Sequence, residues 1–118
     1  FLNLTTTSGY QTLSSYDVML FPTYWNGEGF PGIVIDANVS GLPIIASDWN
    51  MNKEVVVDGK TGFIIPPHDS KSLATQMEKI VCGDVDLYAM KQMCVDYIQQ
   101  FDSNNVLSEA LMKRIKLL

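Results

Sequence analysis

Apolar residues gather in short unbroken runs in the first half of this chain and in spaced stripes in the second. "YDVMLFP" carries a run closed by Pro22, which has no N–H to give a ladder, and predicts a strand over 18–21. "LPIIAS" predicts a second over 44–46, and "TGFIIPP" a third over 63–65. Runs without polar alternation suit a parallel sheet covered on both faces, so the segments between them should be crossovers. In the first crossover two signals conflict. Ile33, Val34 and Ile35 are β-branched and favour a strand. Pro31 suits a first helical turn, Gly41 the left-handed position past a helix end, and Pro43 a stop. The punctuation predicts a helix over 32–40.

Beyond residue 68 the pattern is helical. Asp69 can cap a helix with Leu73, Met77, Ile80 and Val81 on one face, ended by Gly83. Leu87, Met90, Cys94, Ile98 and Phe101 form a second stripe, and Leu107, Leu111, Arg114 and Leu118 lie near a third. Stripes at this spacing read as core. A short helix is predicted where Lys53 and Glu54 stand. The fold class is α/β: a Rossmann-like parallel sheet fragment with flanking helices and a helical C-terminal segment. There is no internal repeat or linker.

Composition narrows the function. With 118 residues, 47% of them hydrophobic, the chain is the size of one domain with a modest core. No apolar run approaches the roughly 20 residues of a transmembrane helix, and the opening residues lack the basic region of a secretory signal. A cytoplasmic protein with no transmembrane segment is expected, and the absent initial Met predicts a piece of a longer chain. Cys82 and Cys94 lack CxxC spacing, and the single His68 has no nearby ligand, so zinc and thioredoxin-like readings fail and both cysteines read as buried thiols. The acceptor-like triplets at Asn3 and Asn38 need secretion to matter. No G-x-S-x-G elbow supports a serine hydrolase. A net charge of −5 argues against a nucleic-acid partner. Residues 1–52 hold no Lys or Arg, only Asp17, Glu28, Asp36 and Asp48 as charges. Any phosphate bound there must be met by backbone amides or by cations from elsewhere.

"NGEGFPGIVIDANVSGLP" sets Glu28 and Asp36 eight positions apart around the start of the predicted helix. Such a helix points its free amides and positive dipole end over Gly29, Phe30 and Gly32, which makes an anion site, although Pro31 offers no N–H. Gly29 and Gly32 let a phosphate come close to the backbone. Asp36 lies one turn into the helix, stacked over Gly32, where a carboxylate can grip two vicinal hydroxyls of a ribose. The alternative is a solvated loop acid at 28 and an exposed helix-face acid at 36. Trp25 and Trp49 flank the same region and suit stacking on a base or sugar, or packing on another domain. Tyr24 and Asn26 are loop polar groups nearby. Lys53 reads as a solvated charge rather than a phosphate ligand, and His68, ahead of a cap, as exposed and outside any catalytic dyad.

Residues 14–74 resemble the C-terminal donor-binding half of family 4 retaining glycosyltransferases, which have the GT-B fold. The resemblance rests on an E-x7-E signature, here Glu28 to Asp36, on "GLPIIASD" at 41–48 and on "VVVDGKTGFIIPP" at 55–67. It implies that Glu28 contacts the transferred sugar near the reacting centre and that Asp36 hydrogen-bonds the nucleotide ribose. Gly29, Phe30 and Pro31 match the loop whose backbone approaches sugar and phosphates, and with Gly32 they complete the donor-binding set. The family needs no metal or other cofactor. Two departures stand out: the second acid is Asp, one methylene shorter, and Pro31 replaces a common glycine.

The resemblance further implies a single partial domain over 1–118, with the diphosphate-binding Arg and Lys, the base-binding segment and the acceptor domain upstream. Its substrates would be a UDP- or GDP-linked nucleotide-sugar donor and an acceptor glycan or lipid-linked sugar in polysaccharide biosynthesis. The place would be the cytoplasm or the inner membrane face. One helix dipole, worth about 0.3–2 kcal/mol, cannot stabilise a departing diphosphate, so the chain alone should be inactive. A truncated sheet edge should favour dimers or aggregation. The rival reading is a non-catalytic α/β ligand-binding or regulatory module.

Overall fold

Three parallel strands lie side by side in the computed structural model, which describes residues 11–25 and 32–102. The elements run β1 (Met19–Phe21), α1 (Gly32–Val39), β2 (Ile44–Ser47), α2 (Asn52–Val55), β3 (Gly62–Ile65), α3 (Ser70–Val81) and α4 (Leu87–Asp102). The sheet order is β1-β2-β3, with Met19 opposite Ile44 and Ile44 opposite Gly62. α1 and α2 fill the two crossovers, as parallel pairing requires. All three predicted strands are present, each within one residue of its expected bounds.

β2 is the centre of the sheet and all four of its residues are buried. Ile44 and Ala46 pack with Val34 and Ala37 of α1 and with Leu42, Val56 and Leu13. Ile45, 0% exposed on the other side of the strand, shows that both faces are covered. Gly62 lets β3 come up to β2: a Cβ built there would fall on the Ile44 peptide, 2.9 Å from its carbonyl carbon. β1 is less enclosed, and Leu20 remains 42% exposed.

α1 is a helix despite three consecutive β-branched residues, so burial prevails over propensity. Five of its eight residues are buried, including Gly32, Val34 and Ile35, and it packs against α4. Its end is a Schellman motif. Leu42 N–H donates to the Ala37 carbonyl at 2.8 Å and Gly41 N–H to the Asn38 carbonyl at 3.1 Å, with Gly41 at φ 67°. An L side chain at 41 would be strained in that conformation, although its Cβ would meet Val95 only in ordinary van der Waals contact. The helix therefore stops at Val39 and the chain turns directly into β2.

α4 buries Met90, Cys94 and Ile98, the predicted stripe. The Cys94 thiol donates to the Thr61 carbonyl at 3.4 Å, and burial pushes its pKa up to about 12. α3 differs from expectation. Asp69 caps it through the Ser72 N–H and Gly83 ends it, but none of its residues is fully buried; Met77 is 39% and Val81 86% exposed. Only Leu73 and Ile80 of that stripe are half-buried, because α3 touches the sheet lightly at β3 and no other described element covers its face. Cys82 is likewise exposed rather than buried, since it sits at the helix cap, past the last turn that faces the protein. The side chain of Phe101 and the stripe from Leu107 to Leu118 lie outside the described residues. No helix among the described residues is long and apolar enough to cross a membrane.

Candidate functional site

In an open parallel sheet the ligand end is where the strands finish, because the loops leaving that end meet above it. Here that end is built from Pro22 after β1, Ser47 closing β2, and Ile65 and Pro66 at the end of β3, and these residues line a cavity of about 350 Å³. The start of α3 closes its side with Asp69, Ser70 and Leu73. Tyr24 and His68 stand at the same cavity, their ring centroids 4.1 Å apart and tilted by 38°. Trp49 meets His68 edge-on at 6.3 Å and 90°.

Side chains reach across to fix this rim. The Ser47 hydroxyl donates to the Thr23 carbonyl, tying the loop after β1 to the end of β2. Asn52, 1% exposed at the start of α2, donates its Nδ2 to the Ser47 carbonyl at 2.9 Å, and its Oδ1 is buried with no partner. Trp49 Nε1 donates to the Trp25 carbonyl at 3.0 Å. Asp69 accepts from Ser72 N–H at 3.0 Å and from Ser72 O–H at 2.8 Å, and these two bonds hold its carboxyl below its ordinary range. His68 has φ 58°, uncommon for a non-glycine residue, and this conformation carries its ring towards Tyr24.

Of the residues expected to hold a donor, Gly32 is buried as the first residue of α1, and Asp36 follows one turn later, half-buried. The two share a helix face at the ligand end of the crossover. The Asp36 carbonyl accepts the Ser40 hydroxyl at 2.9 Å, an internal tie within α1. Glu28, Gly29, Phe30 and Pro31 lie outside the described residues, as does Asn26. Lys53 pairs with Asp48 at 3.4 Å, both exposed, an interaction worth about 0–1 kcal/mol. Among the described residues no three His, Cys, Asp or Glu side chains converge on a metal-sized space. Sequence reasoning passed over Ser47, Ser70 and the stacking of His68. The available signal was position: Ser47 stands just after a predicted strand, and His68 and Ser70 flank the predicted cap at Asp69.

Comparison with known proteins decides the family. The family model for group 1 glycosyl transferases matches residues 5–100. The chain belongs to the group 1 glycosyl transferases. It is 29% identical over 85 residues to a D-inositol 3-phosphate glycosyltransferase of Corynebacterium aurimucosum, covering 72% of this chain and 20% of that protein. It is 27% identical over 99 residues to a phosphatidyl-myo-inositol mannosyltransferase of Mycobacterium leprae, covering 84% and 26%. Against the Escherichia coli UDP-Gal:alpha-D-GlcNAc-diphosphoundecaprenol alpha-1,3-galactosyltransferase it is 32% identical over 82 residues, covering 70% and 20%. Among solved structures, sucrose-phosphate synthase from Thermosynechococcus elongatus matches with a TM-score of 0.67 at 21% identity, covering 90% of this chain and 27% of that one. The shared fold is a GT-B-like α/β domain, and this group 1 glycosyl transferase chain spans 20–26% of the length of these three curated relatives.

Proposed function

We propose that this chain is the donor-binding part of a retaining family 4 glycosyltransferase that moves a sugar from a UDP- or GDP-linked donor to an acceptor hydroxyl in glycan or polysaccharide biosynthesis. The observation that carries the reading is α1 itself: its first residue, Gly32, lies at the ligand end of the sheet and Asp36 follows on the same face. Free N–H groups at a helix start favour the donor's phosphates, and the Asp36 carboxylate suits the ribose hydroxyls. Glu28 would stand at the transferred sugar, with Gly29, Phe30 and Pro31 lining the approach to it. The names of the relatives, which act on inositol phosphate, phosphatidylinositol and lipid-linked sugars, support an acceptor of glycan or lipid-linked type. The setting would be the cytoplasm or its membrane face.

In this reading residues 1–118 are one partial domain. The cations that neutralise the diphosphate and the acceptor domain belong to the rest of the protein, so the isolated chain binds donor weakly, catalyses nothing and tends to associate through its open sheet edge. Titration of the labelled chain with UDP, GDP and their sugars, followed by amide NMR, tests this. Shifts centred on Gly32 to Asp36 are expected, and Asp36→Asn should weaken them about tenfold, since a carboxylate hydrogen bond is worth roughly 1.5–3 kcal/mol. Shifts elsewhere, or none for any nucleotide, would favour the non-catalytic module instead.

A further inference from the structure

The cavity at the strand ends is not the donor contact just described, and its chemistry is different. Among the described residues no Lys or Arg lines it, and the one carboxylate they bring to it, Asp69, is held ionised by Ser72. An anionic phosphate would meet the Asp69 charge there. What the cavity does offer is an aromatic surface and hydroxyl-binding groups. Tyr24 is 56% exposed with His68 stacked beside it, Pro66 and Leu73 add apolar wall, and Ser70 and the Asp69 carboxylate stand at the helix start. A large ring left open beside a concave space has an unburied apolar face, and sugar-sized ligands are held by such a face together with a few fixed polar groups.

We propose that this cavity is a subsite for a neutral sugar ring, with the open face of Tyr24, backed by the stacked His68 ring, as its platform and Asp69 as acceptor for its hydroxyls. A pyranose is matched to it because one face of the sugar is C–H and its edge is hydroxyl. The volume of about 350 Å³ lies at the small end of the range for ligand pockets, suited to one or two sugar rings. The positive φ of His68 is accounted for on the same terms: it stacks the imidazole behind Tyr24, which steadies that ring and leaves its other face to the ligand. The inference rests on the proposed function only for the class of molecule available, and its residues are separate from Gly32 and Asp36.

The test is titration of the 118-residue chain with methyl α-glucopyranoside, methyl α-mannopyranoside and methyl β-galactopyranoside, read by amide NMR and by saturation transfer to the sugar. For at least one of these, shifts should cluster at Tyr24, Ser47 and His68 to Ser70, with saturation strongest on the ring C–H protons. Tyr24→Ala should raise Kd tenfold or more, and His68→Gly, which keeps the left-handed backbone and removes the ring, should raise it severalfold. Tyr24→Phe should bind as the parent does. Both positions are exposed, so unchanged shifts in β2 and α1 certify the fold of each variant. No cluster with any glycoside, or a cluster produced by inorganic phosphate alone, overturns the proposal. A ring reaches this site either on the acceptor or as the donor's sugar. UDP-glucose added to glycoside-saturated protein separates the two: additive shifts at Gly32 to Asp36 mark an acceptor ring, and displacement of the glycoside marks the donor's. Glycoside binding without any nucleotide response would leave this subsite standing while removing the donor reading.

Discussion

α1 and α3 are helices made in opposite ways. α3 has a side-chain cap at Asp69, a glycine terminator at Gly83 and a clean apolar stripe, yet no residue of it is fully buried. α1 has a β-branched run at its start and a poor intrinsic tendency to be helical, yet five of eight residues are inside. Local signals alone account for α3, whereas α1 exists because the sheet and α4 close over it. The difference teaches that in this domain the helix carrying the proposed donor-site residues is the one fixed by tertiary packing, and the well-signalled helix is peripheral.

The contrast can be broken most severely at the sheet beneath α1. Gly62→Val would drive a side chain into the Ile44 peptide and should cost more than about 4 kcal/mol, abolishing the cooperative urea transition. Leu42→Ala, at a residue 1% exposed that closes the Schellman turn of α1, should cost about 2–5 kcal/mol in the same measurement. α4 gives a pH handle on the buried side. Cys94 has its pKa raised from 9.0 to about 12, so the folded chain keeps a proton that the unfolded chain loses above 9.0. Its stabilisation should be complete below pH 9 and drain away as pH rises towards 12, and Cys94→Ala should flatten that slope while lowering stability throughout.

The peripheral helix should respond less. The Asp69 carboxyl is depressed below 3.8, so its cap is present above that pH and is lost as pH falls through the lower folded value. Asp69→Ala should remove this acid dependence and speed amide exchange in the first turn of α3, with little change in the global transition. Val81→Ala, at a site 86% exposed, should stay within about 0.5 kcal/mol of the parent. A large loss there would mean that α3 is covered, and the comparison would fail.

Much of this fold was readable before any coordinates. Val18 to Phe21, Ile44 to Ala46 and Phe63 to Ile65 stood out because a strand buried on both sides has to be apolar at every position. Gly41 and Pro43 carried the α1 assignment against Ile33 to Ile35, since a left-handed turn leaves a mark that side-chain propensity cannot erase. Legibility ended where cover was concerned. Periodicity shows which face of α3 is apolar and says nothing of what packs on it, so Met77, Val81 and Cys82 were assigned to a core they do not enter. In the candidate site, Gly32 and Asp36 were placed by spacing along one helix. The meeting of Tyr24, Ser47 and His68 depends on three separate strand ends converging, a relation between segments that no local pattern encodes.

The linkage from Asn52 to the Ser47 carbonyl, and from the Ser47 hydroxyl to the Thr23 carbonyl, gives the pocket mouth an internal stay. Part of its stiffness comes from Asn52, which does not line the cavity, so the loop bearing Tyr24 is tuned from α2, nearly thirty positions further along the chain. Binding at the proposed subsite can therefore drift through substitutions at 52 while every cavity-lining residue stays the same.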